Sequence, residues 1–253
     1  MTIMNNNVST RIDGGIAEVE FHDPKSNALP GATLKSLADT INSLGKNDDV
    51  KVIVVKSKGD RAFCAGASFD ELIAIESEEA GHAFFMGFAN VINAMRNCPK
   101  FIIGRVQGKA VGGGVGMASA VDFCLATSYA EVKLSELAIG IGPFVVGPAV
   151  QRKIGLSAMS ELAINATEWR SAEWAKEKGL FQEIFSSIID LDHAVAALAK
   201  RLSTFNPEAM KELKKNFWSG CEHWNDLLPE RAAMSGKLVL SDFTKKAITK
   251  FKQ

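Results

Sequence analysis

Three stretches of this 253-residue chain combine residue types and spacings that could do chemistry. The first is Gly112-Gly113-Gly114-Val115-Gly116, the densest glycine run, which follows an apolar strand and precedes Met117 to Val121. Glycine tolerates positive φ and lets backbone approach a ligand closely. The run therefore reads as a plain tight turn, or as backbone N–H groups at a helix N-terminus aimed at an anion or oxyanion. The second stretch, Ala62 to Leu72, follows a β-branched strand and a polar turn, and its small residues at 65–68 again expose backbone. If both strands lie in one parallel sheet, both loops emerge at the edge where ligands bind. The third is Glu136, the last charge before the uncharged run from Leu137 to Gln151. A carboxylate in apolar surroundings has a raised pKa and exchanges protons near neutral pH. An exposed carboxylate at a strand end fits the same residues.

Other chemistries find no footing. No Gly-Lys-Ser/Thr closes the glycine run, and Ser119 stands where a dinucleotide fingerprint needs its third glycine. There is no GxSxG elbow. The four histidines (His22, His82, His193, His223) are scattered without metal spacing, so no metal and no bound cofactor are expected. Cys64, Cys98, Cys124 and Cys221 form no CxxC pair and read as buried small hydrophobes in a reducing compartment. The 29 basic side chains balance 29 acidic ones, which speaks against nucleic acid as the main partner. A composition of 47% hydrophobic and 23% charged residues is ordinary for a globular chain. Met1 to Asn7 are polar, and the Leu137 to Gln151 run is short and broken by Pro143 and Pro148. Neither a secretory signal nor a membrane span is expected, and the chain reads as cytoplasmic.

These residues need elements to position them. Val8 to Asp13 and Ile16 to His22 alternate around Gly14-Gly15 as a hairpin. Ala32 to Leu44 and Ala80 to Met95 carry helical periodicity. Val50 to Val55, Phe101 to Val106, Val121 to Thr127 and Val132 to Leu134 read as strands. Strand and helix alternate over residues 1–140, the pattern of βα units with a mostly parallel sheet. Beyond about residue 145 the character changes, and Ser157 to Asn165, Ser171 to Lys178, Leu191 to Leu202, Pro207 to Trp218 and Glu222 to Leu240 all read as helices. Phe217, Trp218, Trp224, Leu227 and Leu228 give this part an apolar surface that either covers the chain's own core or meets another subunit.

The ordered set Lys25-Ser26-Asn27-Ala28-Leu29, Ala62-Phe63-Cys64-Ala65-Gly66-Ala67, Gly112-Gly113-Gly114, Asp122, Glu136 with Gly140, and Asn206-Pro207-Glu208-Ala209 resembles the crotonase (enoyl-CoA hydratase/isomerase) superfamily from about residue 8 to 250. The resemblance implies an α/β fold, a spiral of repeated ββα units over 1–195, with a helical trimerisation region over 196–253. It implies an acyl-CoA substrate and a homotrimer or dimer of trimers, which shifts the expectation for the apolar C-terminal helices toward an interface. By position, the N–H groups of Ala67 and Gly113 would form the oxyanion hole. Lys25, Ala28, Ala65, Ser68, Phe69, Gly114 and Gly116 would line the substrate and CoA groove. Lys25 is the first candidate for the phosphates, with Lys245, Lys246, Lys250 and Lys252 as possible helpers or as a solvated basic tail.

The sequence departs from the family pattern at one decisive place. Typical hydratases carry two glutamates, and the position of the first is Gly116 here, so Glu136 stands alone. Ser68 replaces an aspartate that often follows the second loop's alanine, and Val132 and Ser135 replace the usual Phe and Pro before Glu136. One carboxylate suffices to move a proton between C2 and C4 of an enoyl-CoA, and can also serve slower hydration. The resemblance leaves open a decarboxylase or thioester hydrolase using the same oxyanion hole, or a non-catalytic acyl-CoA binder. Loss of the glutamate would also enlarge the acyl pocket at Gly116.

Overall fold

The computed structural model describes residues 2–5 and 7–250, with backbone alone for 2–5. Lys252 lies outside the described residues. The chain enters as an antiparallel meander of β1 (Thr2–Asn5), β2 (Val8–Asp13) and β3 (Ile16–Phe21). Gly14 and Gly15 turn the β2–β3 hairpin at φ +55 and +80, backbone that favours glycine. The first helix, α1 (Gly31–Gly45), buries Leu34, Leu37, Ala38, Ile41 and Leu44 on one face, as its spacing predicts.

A repeating unit then sets in: a strand in a large sheet, a short strand in a second sheet, and helix. The first unit is β4 (Val52–Ser57), β5 (Ala62–Cys64), α2 (Phe69–Ile73) and α3 (Glu78–Asn97). The second is β6 (Phe101–Val106), β7 (Lys109–Val111) and α4 (Gly113–Ala120). The third is β8 (Phe123–Thr127), β9 (Val132–Lys133), a 3-10 turn at Glu136–Ile139, and α5 (Gly147–Ile164). After α6 (Ala172–Glu177), β10 (Glu183–Phe185) completes a seven-stranded sheet ordered β1-β2-β3-β4-β6-β8-β10. The second sheet is β5-β7-β9, and every pair beyond the β1–β2–β3 meander is parallel.

Both faces of the large sheet are covered, which explains the unbroken Val52-Ile53-Val54-Val55 run. Ile53 and Val55 point into the main core, whereas Val52 and Val54 join Ile103 and Leu125 under α7 (Ile188–Leu202). Arg105 of β6 holds this helix through Asp192 at 2.7 Å. Residue 195, where the sequence reading divides the chain, lies inside α7. The first half of α5 escapes periodicity because Gly155, at φ +79, kinks the helix, so only the part from Ser157 is legible in the sequence.

The last helices are α8 (Pro207–Phe217), α9 (Trp224–Leu238) and α10 (Asp242–Lys250). Asn206 caps α8 by accepting from Glu208 and Ala209 N–H. Lys214 of α8 reaches through the core boundary to Asp122 at 2.8 Å, both side chains almost fully buried. Asp122 also accepts from the Ile102 N–H and Trp218 Nε1, so it ties β6 and β8 to the C-terminal helices. Trp218, Trp224 and Leu228 belong to the main core, while Phe217 stays half exposed. Most of the named apolar C-terminal groups thus cover this chain's own core, while Phe217, Met234, Leu238 and Phe243 stay exposed. The physical reason is a close crossing of α3 and α9: a Cβ on Gly81 would stand 2.7 Å from Gly236 Cα, so two glycines let the backbones touch. Among the described residues no helix is long and apolar enough to cross a membrane.

Candidate active site

Three neighbouring strand ends build the site. Because β5, β7 and β9 run parallel in that order, the residues after each strand emerge side by side at one edge. They are Ala65 to Ser68 after β5, Gly112 to Gly114 after β7, and Ser135-Glu136 after β9.

The loop after β5 is held by the Lys25–Leu29 strap. Asn27, buried and at φ +57, donates from Nδ2 to the Lys58 and Ala62 carbonyls, each at 2.9 Å. Leu29 N–H donates to Gly66 O at 2.8 Å, and Ser68 N–H donates to Leu29 O at 3.0 Å. In this parallel bridge the residues flanking Ala67 do the pairing. The Ala67 N–H itself has no acceptor among the described residues and faces away from the strap. After β7, Gly112 turns at φ +51, with its N–H donating to Lys133 O at 2.9 Å. Gly113 and Gly114 then open α4, where the first N–H groups have no intrahelical acceptor and the helix dipole favours negative charge. Phe88 of α3 lies over Gly113 so closely that a Cβ there would stand 2.2 Å from its ring.

These loops border a cavity of about 310 Å³. Its walls are mostly aromatic and aliphatic, with Phe69, Phe84, Phe85 and Phe88 on the α2–α3 side and Phe144 and Val146 opposite. The polar side chains lining it are Lys133, Ser135, Glu136 and Ser235. Glu136 keeps some solvent contact as a residue, yet its Oε2 is sealed from solvent and has no hydrogen-bond partner. Its Oε1 lies against Gly112, where a Cβ would stand 2.9 Å away. Burial pushes the carboxyl up to about 7, opposed only by a hydrogen bond from its own backbone N–H. Such a group holds or releases a proton near neutral pH. The Ser235 hydroxyl of α9 is a second buried polar atom without a partner in the same cavity.

A sequence-family model described as enoyl-CoA hydratase/isomerase matches residues 11–252. The chain belongs to the enoyl-CoA hydratase/isomerase family. It is 32% identical over 200 residues to the mitochondrial methylglutaconyl-CoA hydratase of Mus musculus, covering 78% of this chain and 63% of that one. It is 27% identical over 250 residues to the short-chain-enoyl-CoA hydratase of Clostridium acetobutylicum, covering 97% and 94%. Its fold is that of an enoyl-CoA hydratase from Bacillus halodurans, with a TM-score of 0.90 over 97% of this chain and 100% of that one at 21% identity. The crotonase fold is therefore the fold of this family member.

Of the residues singled out in the sequence, Ala65, Ala67, Phe69, Gly113 and Glu136 meet at the cavity. The others stand elsewhere. Lys25 is at the surface, its ammonium paired with Asp70. Ala28 belongs to the strap, and Ser68 caps α2 by accepting from Glu71 N–H at 3.4 Å. Gly114 packs under Cys64, where a Cβ would stand 2.6 Å from its carbonyl oxygen. Gly116 packs under Val146, where a Cβ would stand 2.6 Å from Cγ1. The space beside Gly116 is thus filled by Val146, and the missing glutamate does not enlarge the pocket. Lys133, Trp169 and Ser235 line the cavity without a sequence signal to mark them. Phe84, Phe85 and Phe88, which the sequence reading did not single out, supply the aromatic wall from one helical stretch.

Proposed function

We propose that this family member moves a proton on the carbons beside the thioester of an acyl-CoA, with Glu136 as its one acid/base group. The observation that carries this is a buried, unpartnered carboxyl placed beside two backbone N–H groups that have no acceptor among the described residues. In the proposed reaction the Ala67 and Gly113 N–H groups donate to the thioester oxygen. Glu136 takes a C2 proton from a 3-enoyl-CoA, the oxyanion hole holds the dienolate, and Glu136 returns the proton to C4, giving the 2-enoyl-CoA. Two preorganised donors stabilise the developing oxyanion without reorganisation. The chemistry uses only the protein's own groups and the thioester, with no metal or redox partner. Assembly as a homotrimer or dimer of trimers is proposed on the family resemblance.

Hydration is the second reading, favoured by Ser235. Its unpartnered hydroxyl gives the cavity a second polar anchor, suited to a water that Glu136 activates toward C3. Purified protein offered 3-enoyl-CoA and 2-enoyl-CoA separates the two readings by product. The variant Glu136→Gln should lose about 10²- to 10⁴-fold in turnover, the usual worth of a positioned acid/base. Unchanged turnover in that variant would sink both readings.

A further inference from the structure

Lys133 has no part in the proton transfer above, yet it is the single cation among the residues lining the cavity. It forms no ion pair among the described residues, in contrast to its neighbour Lys109, which is paired with Glu131 at 2.8 Å. Its Nζ instead lies 4.3 Å from the centre of the Trp169 ring, and Lys109 Nζ lies 4.4 Å from the same centre. With Glu131 answering Lys109, this aromatic platform carries one surplus positive charge. Lys133 is not the counter-ion of Glu136 either: no ion pair joins the two among the described residues, and Glu136 Oε2 is sealed without a hydrogen-bond partner. A cation–π contact offsets only part of the cost of partial desolvation, so the ammonium is suited to an anion brought by the ligand.

The order of the strands says which part of the ligand. The thioester oxygen is bracketed by the donors after β5 and β7, and the base follows β9. The base must reach C2, so the acyl chain runs from β7 toward β9 and the thiol side lies toward β5. Lys133 is on β9, in register with Val111 of β7, which also lines the cavity. Trp169 lies one position further still, since Arg170 pairs with Val132 at the free edge of β9 through N–H···O bonds of 2.9 and 3.0 Å. Both groups are therefore on the acyl side, with Lys133 one strand spacing (about 4.8 Å) beyond β7 and Trp169 on the segment beyond that.

Resting on the proposed acyl-CoA reading, we infer that Lys133 is a specificity residue that binds a carboxylate at the far end of a short acyl chain, so that the preferred substrates are mono-CoA thioesters of dicarboxylic acids. The measurement is the Kd of unreactive saturated probes by calorimetry: glutaryl-CoA, the neutral valeryl-CoA of equal chain length, and free CoA. Wild type should bind glutaryl-CoA more tightly than valeryl-CoA. Lys133→Met should weaken glutaryl-CoA about 10- to 100-fold, the worth of a charge-assisted hydrogen bond, and leave valeryl-CoA and free CoA unchanged. Lys133→Arg should keep the preference, which separates loss of charge from loss of fold. Equal weakening of all three probes would mean that the ammonium meets a CoA phosphate, and would overturn the inference. So would a wild type that binds valeryl-CoA as well as glutaryl-CoA, which leaves the proposed function standing. A wild type that binds no acyl-CoA would overturn both.

Discussion

Glu136→Gln tests the electrostatics of the site without any substrate. The folded carboxyl titrates at about 7 instead of its ordinary 4.5 because it is buried. Between these two values the folded protein holds a proton that the unfolded chain has released, so stability falls as pH rises through this window and is level above it. At about 1.36 kcal/mol per pH unit the full effect is roughly 3.4 kcal/mol, of which about 2.5 kcal/mol falls between pH 5 and pH 8.5. Glutamine cannot ionise, so it escapes this penalty, and any fixed cost of its buried amide is the same at both pH values. Urea unfolding of wild type and variant at pH 5 and pH 8.5, at one protein concentration, gives four free energies. The variant should gain about 2.5 kcal/mol on wild type between the two pH values. A difference that stays constant to within about 0.5 kcal/mol would show that the carboxyl is hydrated in the folded state. The argument for a base tuned by burial would then be lost.

Three further outcomes follow from the same geometry. If Glu136 acts as the base, kcat/KM for a 3-enoyl-CoA should rise about tenfold per pH unit below pH 7 and level off above it; a profile flat from pH 5 to 8 would exclude this carboxyl as the base. Gly116→Ala should destabilise by about 1–3 kcal/mol, as read by thermal or urea unfolding, because the new Cβ would stand 2.6 Å from Val146 Cγ1 and 2.8 Å from its Cβ; a fully stable variant would contradict the packing. Lys214→Met should cost about 3–5 kcal/mol because it leaves Asp122 buried without its cation, while Asp122→Asn with Lys214→Met together should cost less than the sum of the two, a coupling that a double-mutant cycle measures directly.

The sequence revealed the large-sheet strands more readily than the small sheet that carries the site. Phe101 to Val106 and the Val52 run are long enough, and buried on both faces, to stand out as apolar stretches. Of the small-sheet strands only β9 stood out, as the Val132 to Leu134 run; β5 and β7, three residues each, have no room for a period. They are defined by pairing with one another, which is tertiary information. The hairpin at Gly14-Gly15 was legible because turn chemistry is local, whereas the α3–α9 crossing depends on two glycines 155 positions apart in the chain that read singly as ordinary helix interruptions. That crossing decides whether the aromatic C-terminal layer turns inward.

The same division holds inside the site. Glycine-rich loops and an isolated charge before an apolar run are local signals, so the loops at 65–68 and 112–116 and Glu136 were legible as candidates, and the family resemblance picked Ala67 and Gly113 out of those loops. Gly114 and Gly116 carry the same local signal and answer a different need, since α4 is pressed between Cys64 and Val146 and admits no side chain at either position. Glycine composition therefore cannot separate a residue that bares its N–H to a ligand from one that merely lets a helix sink into the core; the strand end it follows can. Lys133 shows the converse. In the sequence it is one of 29 basic residues. Only the parallel register of β7 and β9, with the Arg170 segment closing the edge, turns it from a surface charge into the single cation lining a mostly apolar cavity. If an acyl carboxylate fills that place, specificity in this chain is written on the strand that leads to Glu136, the proposed acid/base, and a change of substrate would need no change in Ala67, Gly113 or Glu136.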